Sequence, residues 1–228
     1  YNILECIATE GAFVISASCI KEFREPRLMA KFDHTVNLPK LFHDNNLAIL
    51  PTARGEYIIS HFKAYHCFEQ ISSEVSQFPL PDFLQSLDST DISSEAIALN
   101  CAMASGIVAD FLGEPEVYST VSGRMGSGNF SFEIDSKISS NKFSIDVRGA
   151  QIEIDGAFEG VESLAIFKAK RDISEDFLIR QLYYPFRVWA NQLSKKIRPI
   201  FLVYTNGIYR LFEYQFAAAN NYHSLQIV

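Results

Sequence analysis

Residues 151–170 constrain this chain more than any other stretch. Gln151-Ile152-Glu153-Ile154-Asp155 alternates polar and apolar positions, the two-residue period of a half-buried strand. Gln151, Glu153 and Asp155 share one face, and Ile152 and Ile154 the other. Leu164-Ala165-Ile166-Phe167-Lys168-Ala169-Lys170 reads as a second strand whose period groups Leu164, Ile166, Lys168 and Lys170. Residues 156–163 hold Gly156, Gly160 and two acids, which suits the solvated loop of a hairpin. Antiparallel pairing then brings Asp155 beside the Lys168–Lys170 end.

An acid at a strand end, facing a polar-x-Lys pair on its neighbour, is the layout of a metal-dependent phosphodiesterase. Hydrolysis of a phosphodiester calls for a divalent cation to activate water and offset charge at phosphorus, and Mg²⁺ prefers carboxylate oxygens. A fixed ammonium near the water or the phosphate completes the set. Such sites place an Asp before a hairpin of about ten to twenty residues and Glu-x-Lys after it. Asp155 and Lys170 fit that pattern, but the expected second carboxylate is Lys168.

A chain of 228 residues has room for one large domain, or for a small module beside a core of about 140 residues. The expected division is 1–85 and 86–228, with the Pro- and Ser-bearing stretch 72–91 as linker. Hydrophobic residues at 48% and aromatics at 13% are enough for a packed core, and no low-complexity tract suggests disorder. The apolar runs are too short to cross a bilayer, and no signal-peptide pattern opens the chain. It begins at Tyr1 rather than Met, so an upstream segment is expected. Cys6, Cys19, Cys67 and Cys101 lack metal-site spacing and read as buried thiols of a reducing, cytoplasmic setting.

A net charge of −7 argues against an indiscriminate nucleic-acid binder. The charge is unevenly spread. Residues 163–228 hold nine of the 20 Lys and Arg but four of the 27 Asp and Glu, a local net of +5 against −12 elsewhere. A basic cleft can therefore meet phosphates while the rest discourages promiscuous binding.

Along the chain, Thr9 is a candidate cap for a helix through Ile20. Residues 38–42 suggest a short helix, and residues 47–50 and 57–59 a hairpin turning at 52–55. Helix plus two-stranded wing suits a winged-helix-like DNA reader with Arg54 at the tip, and equally an ordinary packing unit. His34, His43, His61 and His66 have no ligand-like companions and read as surface or packing residues.

From Ser93 or Ser94 a helix is expected to Leu112, closed by Gly113. Its Glu95 is an auxiliary acid for the site or a solvated first-turn acid. The Gly-rich residues 122–129 read as a turn before strand 130–134, where Arg124 and Asn129 contact a DNA backbone or belong to a plain flexible loop. Residues 137–142 suggest another turn, before strand 143–147.

After Lys170, Ser174 is expected to cap a helix through Leu182. Gln181 orients water or phosphate there, or is a buried amide, and Arg180 and Arg187, seven apart, share a face suited to phosphate. Residues 199–204 suit a buried strand, Asn206-Gly207 a turn and residues 208–216 the returning strand.

Together these residues resemble the type II restriction endonucleases of the PD-(D/E)xK nuclease superfamily. The motif itself is short. Longer runs carry more: Ser94-Glu95-Ala96, Ser122-Gly123-Arg124-Met125-Gly126-Ser127-Gly128, Gln151 to Gly156, Asp176-Phe177-Leu178-Ile179-Arg180-Gln181-Leu182-Tyr183-Tyr184-Pro185 and Arg198-Pro199-Ile200-Phe201-Leu202. Leu38-Pro39 and Arg54-Gly55-Glu56-Tyr57 are similar to the N-terminal part of that group.

The resemblance implies an α/β fold, a mixed central sheet flanked by helices, with an N-terminal DNA-recognition module. It also implies Mg²⁺-dependent cleavage of double-stranded DNA at a short specific sequence by a homodimer. Asp155 is then a metal ligand, Ala169 offers its carbonyl to the metal, Lys170 is the catalytic lysine, and Glu153 is auxiliary. Lys168 departs from the Glu of the pattern and is expected to abolish Mg²⁺ binding, with its ammonium standing in for the cation. The alternatives are a DNA-binding protein derived from a nuclease and never catalytic, and a structure-selective repair nuclease.

Overall fold

The computed structural model describes residues 2–29, 32–70 and 73–228. The N-terminal stretch does not form one helix from Thr9 to Ile20. Asn2 caps α1 (Ile3–Glu10), which Gly11 closes at φ 83°, a left-handed conformation that glycine adopts without strain. The Thr9 hydroxyl instead donates back to the carbonyls of Glu5 and Cys6. β1 (Phe13–Ser16), α2 (Ala17–Lys21) and α3 (Pro26–Met29) follow. A 3-10 turn at Thr35–Asn37 and α4 (Lys40–Asp44) lead to the hairpin of β2 (Ala48–Ala53) and β3 (Glu56–Ser60), with Arg54-Gly55 at its tip.

β4 (Tyr65–Cys67) ends this part, and residues 73–94 hold neither helix nor strand. Ser94 caps α5 (Glu95–Ala104) as expected, but the helix does not run on to Leu112. Gly106, at φ 87°, breaks it, and α6 (Ile107–Leu112) restarts the helix and ends at Gly113. The Gly-rich stretch is also a correction. It belongs mostly to β5 (Tyr118–Gly126), and the turn is only Ser127-Gly128, before β6 (Asn129–Asp135).

β7 (Lys142–Arg148), β8 (Gln151–Glu159) and β9 (Ser163–Lys170) come next, and the β8–β9 turn is shorter than the expected 156–163. Pairing with β8 holds β5 extended, a tertiary contact that overrides the poor strand propensity of Gly123 and Gly126. The helix expected from Ser174 starts later. Residues 176–178 are β10 (Asp176–Leu178), paired with β4, and α7 (Arg180–Ala190) follows with Pro185 inside it. β11 (Lys196–Thr205), the Asn206-Gly207 turn, β12 (Ile208–Phe216) and β13 (Leu225–Ile227) complete the chain. Both turn residues have positive φ, as a two-residue hairpin requires.

Two large mixed sheets result, one ordered β1-β3-β2-β7-β6 and the other β13-β12-β11-β9-β8-β5. In the second, β9 and β11 are parallel, so the chain must cross over between them, and α7 lies on that crossover. β9 separates two cores. Leu164 and Ile166 pack with Leu182, Tyr183 and Tyr184 of α7 and with Phe130, Phe132 and Ile134 of β6. Ala165, Phe167 and Ala169 pack with Ala98, Leu99 and Ala102 of α5 and Val108 of α6. The expected mixed α/β class, sheets flanked by a few helices, is what forms. No disulfide joins Cys6, Cys19, Cys67 or Cys101, and among the described residues no helix is long and apolar enough to cross a membrane.

Candidate active site

β8 and β9 run antiparallel with Gly156 opposite Phe167, which sets Asp155 across from Lys168. β8 is irregular at this point. Its residues in the core against α7 are Ile152 and Ile154, then Ala157, a change from even to odd positions across Asp155-Gly156. Its pairing with β5 slips on either side of Val121. Such an irregularity re-aims a side chain, and here it turns Asp155 toward the face of β9 that carries the lysines. Lys168 Nζ lies 3.0 Å from Asp155 Oδ1 and 2.9 Å from Oδ2. The backbone N–H of Ala169 donates to Oδ2 at 2.7 Å. Both carboxylate oxygens are therefore engaged. At 14% side-chain exposure each, Asp155 and Lys168 line an opening rather than a sealed core.

Lys170 has a partner that sequence reasoning missed. Its Nζ donates to Asp33 Oδ2 at 2.5 Å, across 137 positions of sequence. Burial by itself would raise the Asp33 carboxyl. Lys170 overrides that by charge and hydrogen bond, Arg180 and Lys168 add to it, and the group sits below its ordinary value. No local pattern around Asp33 signals this role, because only the fold brings residues 33 and 170 together.

These groups line a cleft of about 310 Å³. Its cations are Arg27, Arg54, Lys168, Lys170 and Arg180, and its carboxylates Asp33, Glu95, Glu153 and Asp155. Gln181 lines it as well. Arg180 Nε and Gln181 Oε1 are buried there with no hydrogen-bond partner among the described residues. A buried donor and a buried acceptor left unmet are costly unless something else satisfies them.

Most of the residues singled out in the sequence thus converge, including Glu95 at the start of α5 and Arg54 at the hairpin tip. Three do not. Arg124 is an exposed residue paired with Glu153 at 3.4 Å, on the rim. Asn129 is exposed at the start of β6, outside the cleft lining. Arg187 is only 8% exposed, and its NH1 donates to Ser131 O at 3.0 Å, Ala219 O at 2.7 Å and Tyr183 Oη at 2.9 Å. It holds the core together and is closed to phosphate. A larger cavity, about 1290 Å³, is lined by residues 73–80 and parts of α5, α6, β11 and β12, and it shares no residue with the charged cleft.

The cleft as it stands does not suit Mg²⁺. Among the described residues no three His, Cys, Asp or Glu side chains form a metal-binding group. Asp155 already spends both oxygens on Lys168 and Ala169, and Ala169 meets it through N–H rather than carbonyl. An ammonium stands where a hard cation would need a second carboxylate.

A family described as a domain of unknown function, DUF6997, matches residues 60–228, and a second so described, DUF6996, matches residues 1–59. No curated protein and no solved structure matches the chain. Asp33 and Arg54 lie in the region matched by DUF6996 and Asp155, Lys168, Lys170 and Arg180 in that matched by DUF6997, so the cleft is built from both.

Proposed function

The chain belongs to the DUF6997 family, and we propose that it is a duplex-DNA endonuclease of the PD-(D/E)xK restriction type, held inactive by Lys168. One observation carries this reading: an acid and two lysines from adjacent strands meet an arginine and a glutamine of α7 in a single open cleft. Each group has a task at a phosphodiester. Lys170 and Arg180 supply charged donors to phosphate oxygens, the strongest class of hydrogen bond to such a group. Gln181 Oε1, an acceptor without a partner among the described residues, can orient a water. Arg54 and Arg27 are exposed residues of the cleft lining, open to a flanking phosphate.

Lys168 changes the outcome. Its ammonium neutralises Asp155, so binding to a sugar-phosphate strand survives while the carboxylate pair needed for metal-activated water is lost. A palindromic target would call for a two-fold pair of chains.

The test is duplex binding in EDTA. The wild-type chain should bind, and Lys170→Ala or Arg180→Ala should weaken binding uniformly across sequences by about tenfold, with a salt slope shallower by about 1. Absence of binding at low salt, or binding indifferent to both substitutions, would refute the proposal. A second reading is favoured by the two-oxygen grip of Lys168 on Asp155: a DNA-binding protein in which the tethered ammonium permanently replaces a metal. The two separate on whether a carboxylate at position 168 brings cleavage.

A further inference from the structure

The cations of the cleft are not all open to a ligand. Lys170 is held by Asp33, and Asp33 is held by the fold. Its carbonyl accepts from Leu178 N at 2.9 Å, and the carbonyl of Phe32 accepts from Tyr65 Oη at 2.7 Å. On the other side, Thr35 N donates to Asp176 Oδ1 at 3.0 Å. Backbone pinned before and after residue 33 presents the carboxylate to the cleft at a fixed place. Arg180 lines the same cleft, lowers the Asp33 carboxyl by its charge, and keeps a buried Nε unmet among the described residues. An ammonium and a guanidinium in one cleft are chemistry that recognises phosphate oxygens. A carboxylate carries the same sign of charge and the same kind of acceptor, but here it reaches Lys170 and leaves Arg180 Nε without a partner.

We propose that Lys170 and Arg180 form a phosphate subsite and that Asp33 is its built-in competitor, through which the N-terminal region sets how tightly the cleft holds a nucleic-acid backbone. This deepens the duplex-DNA reading and rests on it for the identity of the ligand. Charge makes the competition consequential. Five cations and four carboxylates line the cleft, so one carboxylate fewer doubles its positive surplus.

The experiment titrates mixed-sequence duplex and, separately, inorganic pyrophosphate into the full chain and its Asp33→Asn variant across a range of salt. Asp33→Asn should bind both ligands more tightly, the duplex by about fivefold and with a steeper salt slope, because Lys170 is no longer shared between Asp33 and phosphate. The gain should vanish in a Lys170→Met background, where the competitor has no ammonium to occupy. Asp33→Ser carries the same expectation and guards against a folding defect peculiar to Asn. Unchanged or weaker binding of both ligands by the folded variants would overturn the proposal and make Asp33 a support for Lys170. Tighter pyrophosphate binding without duplex binding by any form would uphold the competitor and refute the duplex-DNA reading.

Discussion

Replacing Lys168 by glutamate is expected to turn a chain indifferent to Mg²⁺ into one stabilised by it. In EDTA the variant should be less stable than wild type, because Lys168→Glu removes one partner of an ion pair only 14% exposed and sets two carboxylates side by side. Breaking such a pair typically costs about 3–5 kcal/mol. Mg²⁺ should recover part of that loss, since two adjacent carboxylates now offer the hard oxygens that the cation prefers. At ten times the dissociation constant, binding to the folded state alone returns about 1.4 kcal/mol, a rise of about 3–6 °C in melting temperature for a chain of this size. Thermal melts of wild type, Lys168→Glu and Lys168→Met with and without Mg²⁺ check this. Lys168→Met should lose the ion pair and gain no response to the metal. An equal Mg²⁺ response in all three would mean that position 168 has no part in a metal centre.

Two arginines of α7, seven residues apart, should behave in opposite ways. Arg187→Leu is expected to destabilise the fold by about 3–5 kcal/mol, because it removes a buried guanidinium that bonds three acceptors at once. Those acceptors are the carbonyls of Ser131 and Ala219 and the hydroxyl of Tyr183, and the guanidinium also sits 4.8 Å from the Phe130 ring centroid. Arg180→Leu removes a cleft-lining cation whose Nε, like that of Arg187, has no partner among the described residues. That cation lacks the three hydrogen bonds that hold Arg187, so its loss should change stability by less than about 1 kcal/mol while weakening duplex binding. Urea unfolding read by Trp189 fluorescence compares the two. A larger stability loss at Arg180 than at Arg187 would reverse their assigned roles.

The contrast between these arginines shows where sequence reasoning reached its limit. Helical spacing placed both on one face, but it carries no information about what packs on that face along its length. At its start α7 meets the cleft; a turn and more later it meets β6 and the 217–222 turn. Asp155, Lys168 and Lys170 were legible because a short hairpin joins their strands and local alternation fixes the pairing. Even there, strict alternation did not foresee the irregularity that turns Asp155 toward Lys168. Asp33 was illegible, since its meeting with Lys170 depends on the packing of the N-terminal part against β10. Residues 122–126 were misread for the converse reason: glycine content predicts a turn, and only the partner strand β8 holds them extended. Ser94 and Gly113 were read correctly as caps because capping is local, whereas the break at Gly106 lies inside an otherwise continuous apolar pattern.

The most direct measurement is digestion of a mixed-sequence plasmid by the Lys168→Glu protein in Mg²⁺, followed by sequencing of the fragment ends. If the cleft is a phosphodiester site, the ends should fall at one short sequence, and cutting should disappear when Asp155→Ala or Lys170→Ala is added. Intact plasmid from a folded Lys168→Glu protein that binds both Mg²⁺ and duplex would contradict the account.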